Sequence, residues 1–448
     1  MTGLWRMRSV TLLRAWARRD AVSMLSLRTY ASRSRAAKAS IEPMPLPCID
    51  QHEMRQSRVM AGSQHVGSAA SQKDEMLGPE PSYTDIVSGY DTFFCDEPFA
   101  LDYGSVLPSY QIAYETWGTL NAARDNAILL HTGLSASSHA ASTPRNTSKG
   151  WWEDFIGPGK ALDTNKFFVV CTNVLGSCYG STGPSSAHPL DADGAPYATR
   201  FPVLSIFDMV RAQFQLLDHL GIDTLYASVG SSLGGMLSIA AAHLFRERVG
   251  RVISISGCAR SAPSGIALRY AQRSVLMADE NWNRGFYYGP NQVQPHKGMK
   301  LARQIATITY RSGPEWEQRF GRRRHTQRSP ALCPDFLVET YLDHQGEQFC
   351  LKYDANSLIY ISKAMDLFDM TDDALAELGA ARMEAHGDDG NLPVERIDHA
   401  PASPKRRPHI TTISHPGAHA YVPSLARGLR RLHDVPILIL GVQSDIPV

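Results

Sequence analysis

The chain has 448 residues, 43% of them hydrophobic, which is enough for one large domain with insertions or for two domains. Its formal net charge is +1, so the composition gives no support for binding of nucleic acid or recognition of an acidic surface. No apolar run reaches the roughly 18 residues that a membrane span needs.

The first 40 residues differ from the rest of the chain. They contain many arginines and several serines but a single acid, Asp20, and apolar residues are interleaved with the charges. This composition is typical of a mitochondrial transit peptide, so we expect the protein in the mitochondrial matrix. The alternative is a disordered basic tail. Residues 41–89 include several prolines, and we predict a disordered linker there.

The cysteines are scattered and odd in number, and no two of them form a C-x-x-C pair. This usage predicts reduced thiols in an intracellular compartment, not a disulfide framework or a zinc site. We expect neither a metal ion nor a bound cofactor.

Residues 90–263 alternate between strand-like and helix-like patterns. Short apolar or alternating segments predict strands, and apolar residues at helical spacing before Gly221 predict a helix. The predicted strands are 110–114, 127–131, 166–171, 225–229 and 251–255, and the predicted helix is 206–220. Such alternation is typical of an α/β fold with a mostly parallel sheet that is covered on both faces.

The pattern changes in the last third of the chain. Residues 264–370 are irregular, helical, and rich in Arg, Tyr and Trp, which predicts an inserted helical lid. Residues 371–430 are polar and rich in Pro, His and Arg, so we predict a mostly disordered, low-complexity insertion. Within the final segment, 431–448, residues 435–440 predict one more core strand.

The most informative stretch is Gly-Ser-Ser-Leu-Gly at 230–234, which follows an apolar strand-like segment and precedes an alanine-rich helix-like segment. A nucleophile elbow of the G-x-S-x-G type requires this context. The two glycines permit a sharp turn and close packing of the strand against the helix. We therefore predict that Ser232 is a nucleophile for covalent acyl chemistry. The alternative is a structural Gly/Ser turn.

The triad partners in this arrangement come in the order Ser, Asp or Glu, then His. Asp445 follows the predicted strand 435–440, where an acid that orients a histidine is expected; the alternative is an Asp in a surface turn. No histidine follows Asp445. His131 and His139 lie near a strand end, where oxyanion or binding duties fit them better. We interpret the chain as truncated after its last core strand, with the base unassigned.

With the elbow, the lid and the Asp strand assigned, the chain resembles the homoserine O-acetyltransferase family of α/β-hydrolase-fold acyltransferases. The resemblance covers about 90–370 and 435–446. It rests on WWEDFIGPGKALD at 151–163, NVLGSCYGSTGP at 173–184, ADENW at 278–282 with Gly285 and Tyr287, and LARQIATITY at 301–310.

The resemblance implies a role for several residues. Ser232 matches the family nucleophile and Asp445 the triad acid, while no position matches the family histidine. The backbone N–H of Leu233, with a second donor from the segment 132–135 at Leu134, is expected to hold the oxyanion. Arg303 resembles the arginine that binds the carboxylate of the amino-acid substrate, a task suited to a guanidinium fork. Arg273 is expected at a basic position that faces the acyl tunnel.

Two motifs, GSSLGG at 230–235 and HTGLSASSH at 131–139, resemble the fungal mitochondrial branch that transfers a succinyl or acetyl group to serine. That branch implies succinyl-CoA or acetyl-CoA as cosubstrate, L-serine as acceptor, a role in cysteine biosynthesis, and a homodimer. Three alternatives stay open: acetylation of L-homoserine for methionine biosynthesis, a serine esterase, and an inactive truncated form.

Overall fold

The structure is a computed structural model that describes residues 87–289, 292–325, 329–330, 332, 334–387 and 420–441. Several predictions fall outside these residues: the transit peptide 1–40, the linker before residue 87, and the triad acid Asp445.

A seven-stranded sheet forms the centre of the fold, in the order β1-β4-β8-β5-β9-β10-β11. Pairing is antiparallel between β1 and β4 and between β4 and β8, and parallel from β8 to β11. The predicted α/β fold with a mostly parallel sheet is confirmed. The strands are β1 (Asp91–Cys95), β2 (Phe99–Ala100), β3 (Val106–Leu107), β4 (Tyr110–Trp117), β5 (Ala127–His131), β6 (Ile156–Gly157), β7 (Leu162–Asp163), β8 (Phe168–Thr172), β9 (Ala227–Ser231), β10 (Val252–Ile255) and β11 (Ile437–Leu440).

Two α-helices connect strands of the sheet before β10. The other described α-helices lie between β10 and β11 in the chain. The helices are α1 (Ile206–His219), α2 (Leu233–Leu244), α3 (Pro263–Met277), α4 (His296–Thr309), α5 (Gly313–Arg319), α6 (Leu337–Cys350), α7 (Ala355–Asp366), α8 (Asp372–His386) and α9 (Val422–Gly428). Helices α3 to α7 form the segment predicted as a lid. None of the helices in the described part of the chain is long and apolar enough to cross a membrane.

The central strands of the sheet are buried on both faces, as their continuous apolar sequences require. The predicted strand 435–440 forms as β11, but it is the edge strand and its residues are exposed, so the prediction that it is a core strand is wrong for the described residues. Along β5, Leu129 packs in the core cluster that contains α1 and α2, whereas Leu130 packs in a second cluster with Val169 and Val229. The lid contributes most of a further hydrophobic cluster, in which Leu276 of α3 and Met299 of α4 pack together with other buried side chains, including Cys178 and Tyr179 of the region before the lid. The lid is therefore a packed unit, not a loose loop.

The prediction that 371–430 is mostly disordered is wrong for its two ends. Helix α8 begins after Thr371, whose hydroxyl accepts a hydrogen bond from Ala374 N. Two aspartates lie in its first turn, where their negative charges interact favourably with the positive end of the helix dipole. Its far end docks on the core, because His386 Nε2 lies 2.8 Å from the carbonyl oxygen of Leu101. Helix α9 also lies within the range, and residues 388–419 fall outside the described chain.

Candidate active site

Ser232 sits at a sharp turn between β9 and α2. Its backbone has φ 57° and ψ −119°, and its N–H donates a hydrogen bond to the carbonyl oxygen of Ile255 at 2.8 Å. Residues other than glycine rarely adopt a positive φ. Those that do are often found at active sites, where the surrounding structure holds the strained backbone in place. The strand–turn–helix context predicted for the elbow is thus present in the structure.

The glycines on either side of Ser232 explain why the turn closes so tightly. A Cβ added at Gly230 would lie 2.2 Å from the carbonyl oxygen of Gly234, and one added at Gly234 would lie 2.5 Å from the carbonyl oxygen of His131. Both distances are shorter than any van der Waals contact, so glycine is required at each position. The turn presses the start of α2 against the end of β5.

Ser232 lines a cavity of about 660 Å³ between the carboxyl edge of the sheet and the lid. Open α/β sheets bind ligands at this edge. Residues that follow four parallel strands contribute to the walls, and lid residues complete them. The lining includes Leu134 and Ser135 after β5, Ser232 after β9, Ser256, Gly257, Cys258 and Arg260 after β10, Gly441 after β11, and Leu268, Arg269, Gln272, Ala302, Arg303, Tyr310, Phe349 and Leu358 from the lid.

Arg303 of α4 brings a positive charge into the same cavity as Ser232. Its guanidinium lies over the rings of Phe349 and Tyr310, 4.6 Å and 5.3 Å from their centroids, and donates to the Tyr310 hydroxyl at 3.1 Å. Its buried Nε has no hydrogen-bond partner, and no carboxylate pairs with it among the residues described. Stacking therefore fixes the guanidinium while leaving it free to bind an anion.

Arg273 does not line the cavity. Its Nη1 donates to Ser362 Oγ at 3.2 Å and its Nη2 to Asp366, and the side chain is buried between α3 and α7. One helical turn earlier, Arg269 does line the cavity. The structure thus brings Ser232 and Arg303 together but not Arg273, whose role at the acyl tunnel stays a prediction.

Of the two predicted oxyanion donors, Leu233 directly follows Ser232 in the chain and Leu134 shares the cavity lining with Ser232. Leu233 is the first residue of α2, so its N–H has no acceptor within the helix and lies at the positive end of the helix dipole. Leu134 lines the cavity, and its carbonyl oxygen accepts a hydrogen bond from the Tyr353 hydroxyl at 2.7 Å. The lid thereby fixes the loop that carries Leu134, while oxyanion binding itself stays a prediction.

The buried histidines near the strand ends are occupied by other contacts. His131 Nε2 lies 2.8 Å from Ser228 Oγ, and burial lowers the pKa of His131 to about 3, so its ring is neutral. His139 lies between Glu115 Oε2 at 3.0 Å and the carbonyl oxygen of Ser148 at 2.9 Å. Neither lines the cavity, nor does any other histidine of the described ranges. The oxyanion or binding duties expected of both therefore have no support in this geometry.

Cys258 is the one thiol among the described residues that line the cavity. Burial raises the pKa of this thiol, so it stays protonated near neutral pH and is a poor nucleophile. The lining also contains hydroxyl groups, including those of Ser135 and Ser256. Among the described lining residues, only Ser232 directly precedes the N-terminus of α2 at the elbow, so it is the group best positioned for attack on a carbonyl carbon.

Several lid residues that line the cavity or contact its walls were not predicted from the sequence. Arg269 carried a usable signal, because it lies four residues before Arg273 and therefore on the same face of a helix. Phe349 and Tyr353 carried no such signal in the sequence. Only the packing of the lid places Phe349 against Arg303 and Tyr353 against Leu134.

A family profile described as the alpha/beta hydrolase fold matches residues 126–383. Among curated relatives, a serine O-succinyltransferase from Emericella nidulans is 55% identical over 94% of this chain and 81% of its own length. A homoserine O-acetyltransferase from Moorella thermoacetica is 46% identical over 60% of this chain and 72% of its own.

Solved structures agree with the profile. The crystal structure of a homoserine O-acetyltransferase from Bacillus anthracis matches with a TM-score of 0.60 and 26% identity, covering 80% of this chain and 92% of that one. The profile spans more than half of the chain, and the elbow and lid match what the resemblance implied. The chain belongs to the homoserine O-acetyltransferase family of α/β-hydrolase-fold acyltransferases.

Proposed function

We propose that this chain is an acyl-CoA-dependent O-acyltransferase that transfers a succinyl group to L-serine through an acyl-enzyme on Ser232. The observation that carries the proposal is the shared cavity: a strained serine at a helix N-terminus faces the same chamber as Arg303. The 55% identity to a serine O-succinyltransferase supports the choice of donor and acceptor.

In the first half-reaction, Ser232 Oγ attacks the thioester carbonyl carbon of the acyl-CoA. A C–O bond forms, the C–S bond breaks, and CoA leaves as a thiol with the proton that the serine gives up to a base. The N–H groups of Leu233 and Leu134 stabilise the oxyanion of the tetrahedral intermediate, a contribution commonly worth about 3 kcal/mol per donor. No histidine is among the described residues that line the cavity, and the base is unassigned.

In the second half-reaction, the hydroxyl of L-serine attacks the same carbonyl carbon, now in an ester with Ser232. The new ester bond forms, the bond to Ser232 Oγ breaks, and the proton of the substrate hydroxyl returns to Ser232 through the base. Arg303 binds the substrate carboxylate and so orients the hydroxyl. The packed lid limits the access of water to the acyl-enzyme. Water would otherwise hydrolyse the ester on Ser232 before the acyl group reaches L-serine.

The test supplies purified protein with each pair of succinyl-CoA or acetyl-CoA and L-serine or L-homoserine, and follows thiol release and product mass. We expect O-succinylserine as the main product, ping-pong kinetics, and one succinyl group on Ser232 when the acceptor is omitted. Ser232→Ala is the control and should show neither acylation nor product. Turnover of homoserine with acetyl-CoA alone would overturn the assignment.

Homoserine O-acetylation is the second candidate, favoured by the 46% identity to a homoserine O-acetyltransferase. Serine and homoserine differ by one methylene, and discrimination of a methylene by fit is worth only roughly 1–3 kcal/mol. Some use of both acceptors is therefore expected, and the ratio of their kcat/KM values decides which one is the substrate.

A further inference from the structure

Helix α3 holds an excess of buried positive charge beside the cavity. Arg269 Nε lies 2.5 Å from Asp366 Oδ1, and Arg273 Nη2 contacts the other oxygen of the same carboxylate. Arg269 and Arg273 are 3% and 7% exposed, respectively. Within the described chain no further carboxylate pairs with either arginine, so two guanidinium groups share one aspartate and the cluster carries a net positive charge.

Arg269 is the member of this cluster that lines the cavity. Its Nε and Nη2 are engaged by Asp366 and by Ser261 Oγ, the latter at 3.0 Å. Its Nη1 is buried and has no hydrogen-bond partner among the described residues, although the side chain lines the chamber that contains Ser232. A buried donor without an acceptor is costly, so a bound ligand with an acceptor there is favoured.

We propose that Arg269 determines the choice of acyl donor, with its Nη1 binding the terminal carboxylate of the succinyl group. The inference rests on the proposed function, which gives the reaction two carboxylates, one on serine and one on the succinyl chain. The cavity offers two positive charges without a balancing acid, at Arg303 and at the cluster of Arg269. An acetyl group would leave the second charge without a partner, because it carries no carboxylate.

Arg260 provides a matched comparison. It lines the same cavity, but its Nε pairs one-to-one with Asp369 at 3.0 Å and its guanidinium lies over the ring of Tyr421. Its charge is already balanced. It is therefore not expected to distinguish a dicarboxylic acyl group from a neutral one.

The first experiment compares Arg269→Gln with Arg260→Gln in the full chain, using succinyl-CoA and acetyl-CoA with L-serine. Loss of Arg269 leaves Asp366 paired one-to-one with Arg273, so the cluster becomes neutral and the fold is expected to persist. For Arg269→Gln we expect kcat/KM to fall roughly 10- to 100-fold with succinyl-CoA and to change less than about threefold with acetyl-CoA. Arg260→Gln should leave the ratio of the two donors unchanged.

A second measurement needs no substitution. Butyryl-CoA has the chain length of succinyl-CoA with a methyl group in place of the carboxylate, so the unaltered enzyme should use it at least about tenfold less efficiently. If the enzyme prefers succinyl-CoA but Arg269→Gln lowers both donors equally or neither, the role of Arg269 is refuted and the proposed function stands. If the enzyme uses acetyl-CoA alone, both proposals fail.

Discussion

The backbone of Ser232 provides a direct test of stored strain. Its φ of 57° and ψ of −119° lie where residues other than glycine are disfavoured, at a cost of about 1–3 kcal/mol. Glycine adopts this conformation without that cost, but it adds roughly 0.5–1 kcal/mol of entropy to the unfolded chain. The central values of these two ranges differ by roughly 1 kcal/mol, so Ser232→Gly should raise the free energy of unfolding by about 1 kcal/mol.

Ser232→Ala is the matched control for this prediction. It also removes the hydroxyl but keeps a Cβ, so its backbone stays strained and its stability should equal that of the unaltered protein. The hydrogen bonds from Ser232 N to Ile255 and from Gly235 N to Ser232 are backbone bonds, and both variants retain them.

Urea unfolding and thermal melts of the three proteins measure the effect. A change of 1 kcal/mol shifts the Tm of a large domain by about 2–4 °C, so Ser232→Gly should melt about 2–4 °C above Ser232→Ala. Both variants should lack transferase activity. Equal stability of the glycine and alanine variants would refute the argument that this turn is strained.

Three further outcomes are expected. Gly234→Ala should lower the free energy of unfolding by about 1–3 kcal/mol, because the added Cβ would lie 2.5 Å from the carbonyl oxygen of His131 in β5. Gly313→Ala is the control, since no atom lies within 4 Å of the added Cβ, and its free energy of unfolding, measured by urea titration, should be unchanged. Arg303→Lys should raise the KM for serine about tenfold while changing kcat less, since an ammonium replaces the carboxylate-binding fork; an unchanged KM in steady-state assays would exclude that contact. Glu153 accepts hydrogen bonds from a hydroxyl and two backbone N–H groups, which hold its pKa at about 2 instead of 4.5. The charged carboxylate stabilises the fold above pH 4.5, and this stabilisation is lost as the pH falls toward 2. The difference in free energy of unfolding between the unaltered protein and Glu153→Gln, measured by urea titration, should therefore shrink over that range.

Local patterns predicted the elements around Ser232 well, because their signals are short in range. Strand β5 matches the predicted range 127–131, and α1 ends one residue before the predicted 206–220. Strand β9 was predicted over 225–229 and forms over 227–231, because its ends depend on pairing with β5 and β10. The spacing of apolar residues within one segment does not indicate which strands it pairs with or in which register.

Contacts between distant residues were beyond the sequence. Asp366 lies 97 residues after Arg269, and nothing in its neighbourhood indicates which cation it binds. Helix α8 was missed for a different reason: the polar composition of 371–430 was averaged over the whole range, which hid the capped helix that begins after Thr371. Asp445 lies outside the described residues, so its role as the triad acid stays a prediction.

Asp366 joins α3 to α7 twice, through Arg269 and through Arg273. Only the first of these arginines lines the cavity. The ion pair of Arg273 would therefore keep the two lid helices connected after a substitution at residue 269. If Arg269 selects the acyl donor as proposed, this duplication lets donor preference change by one substitution while an anchor of the lid stays in place.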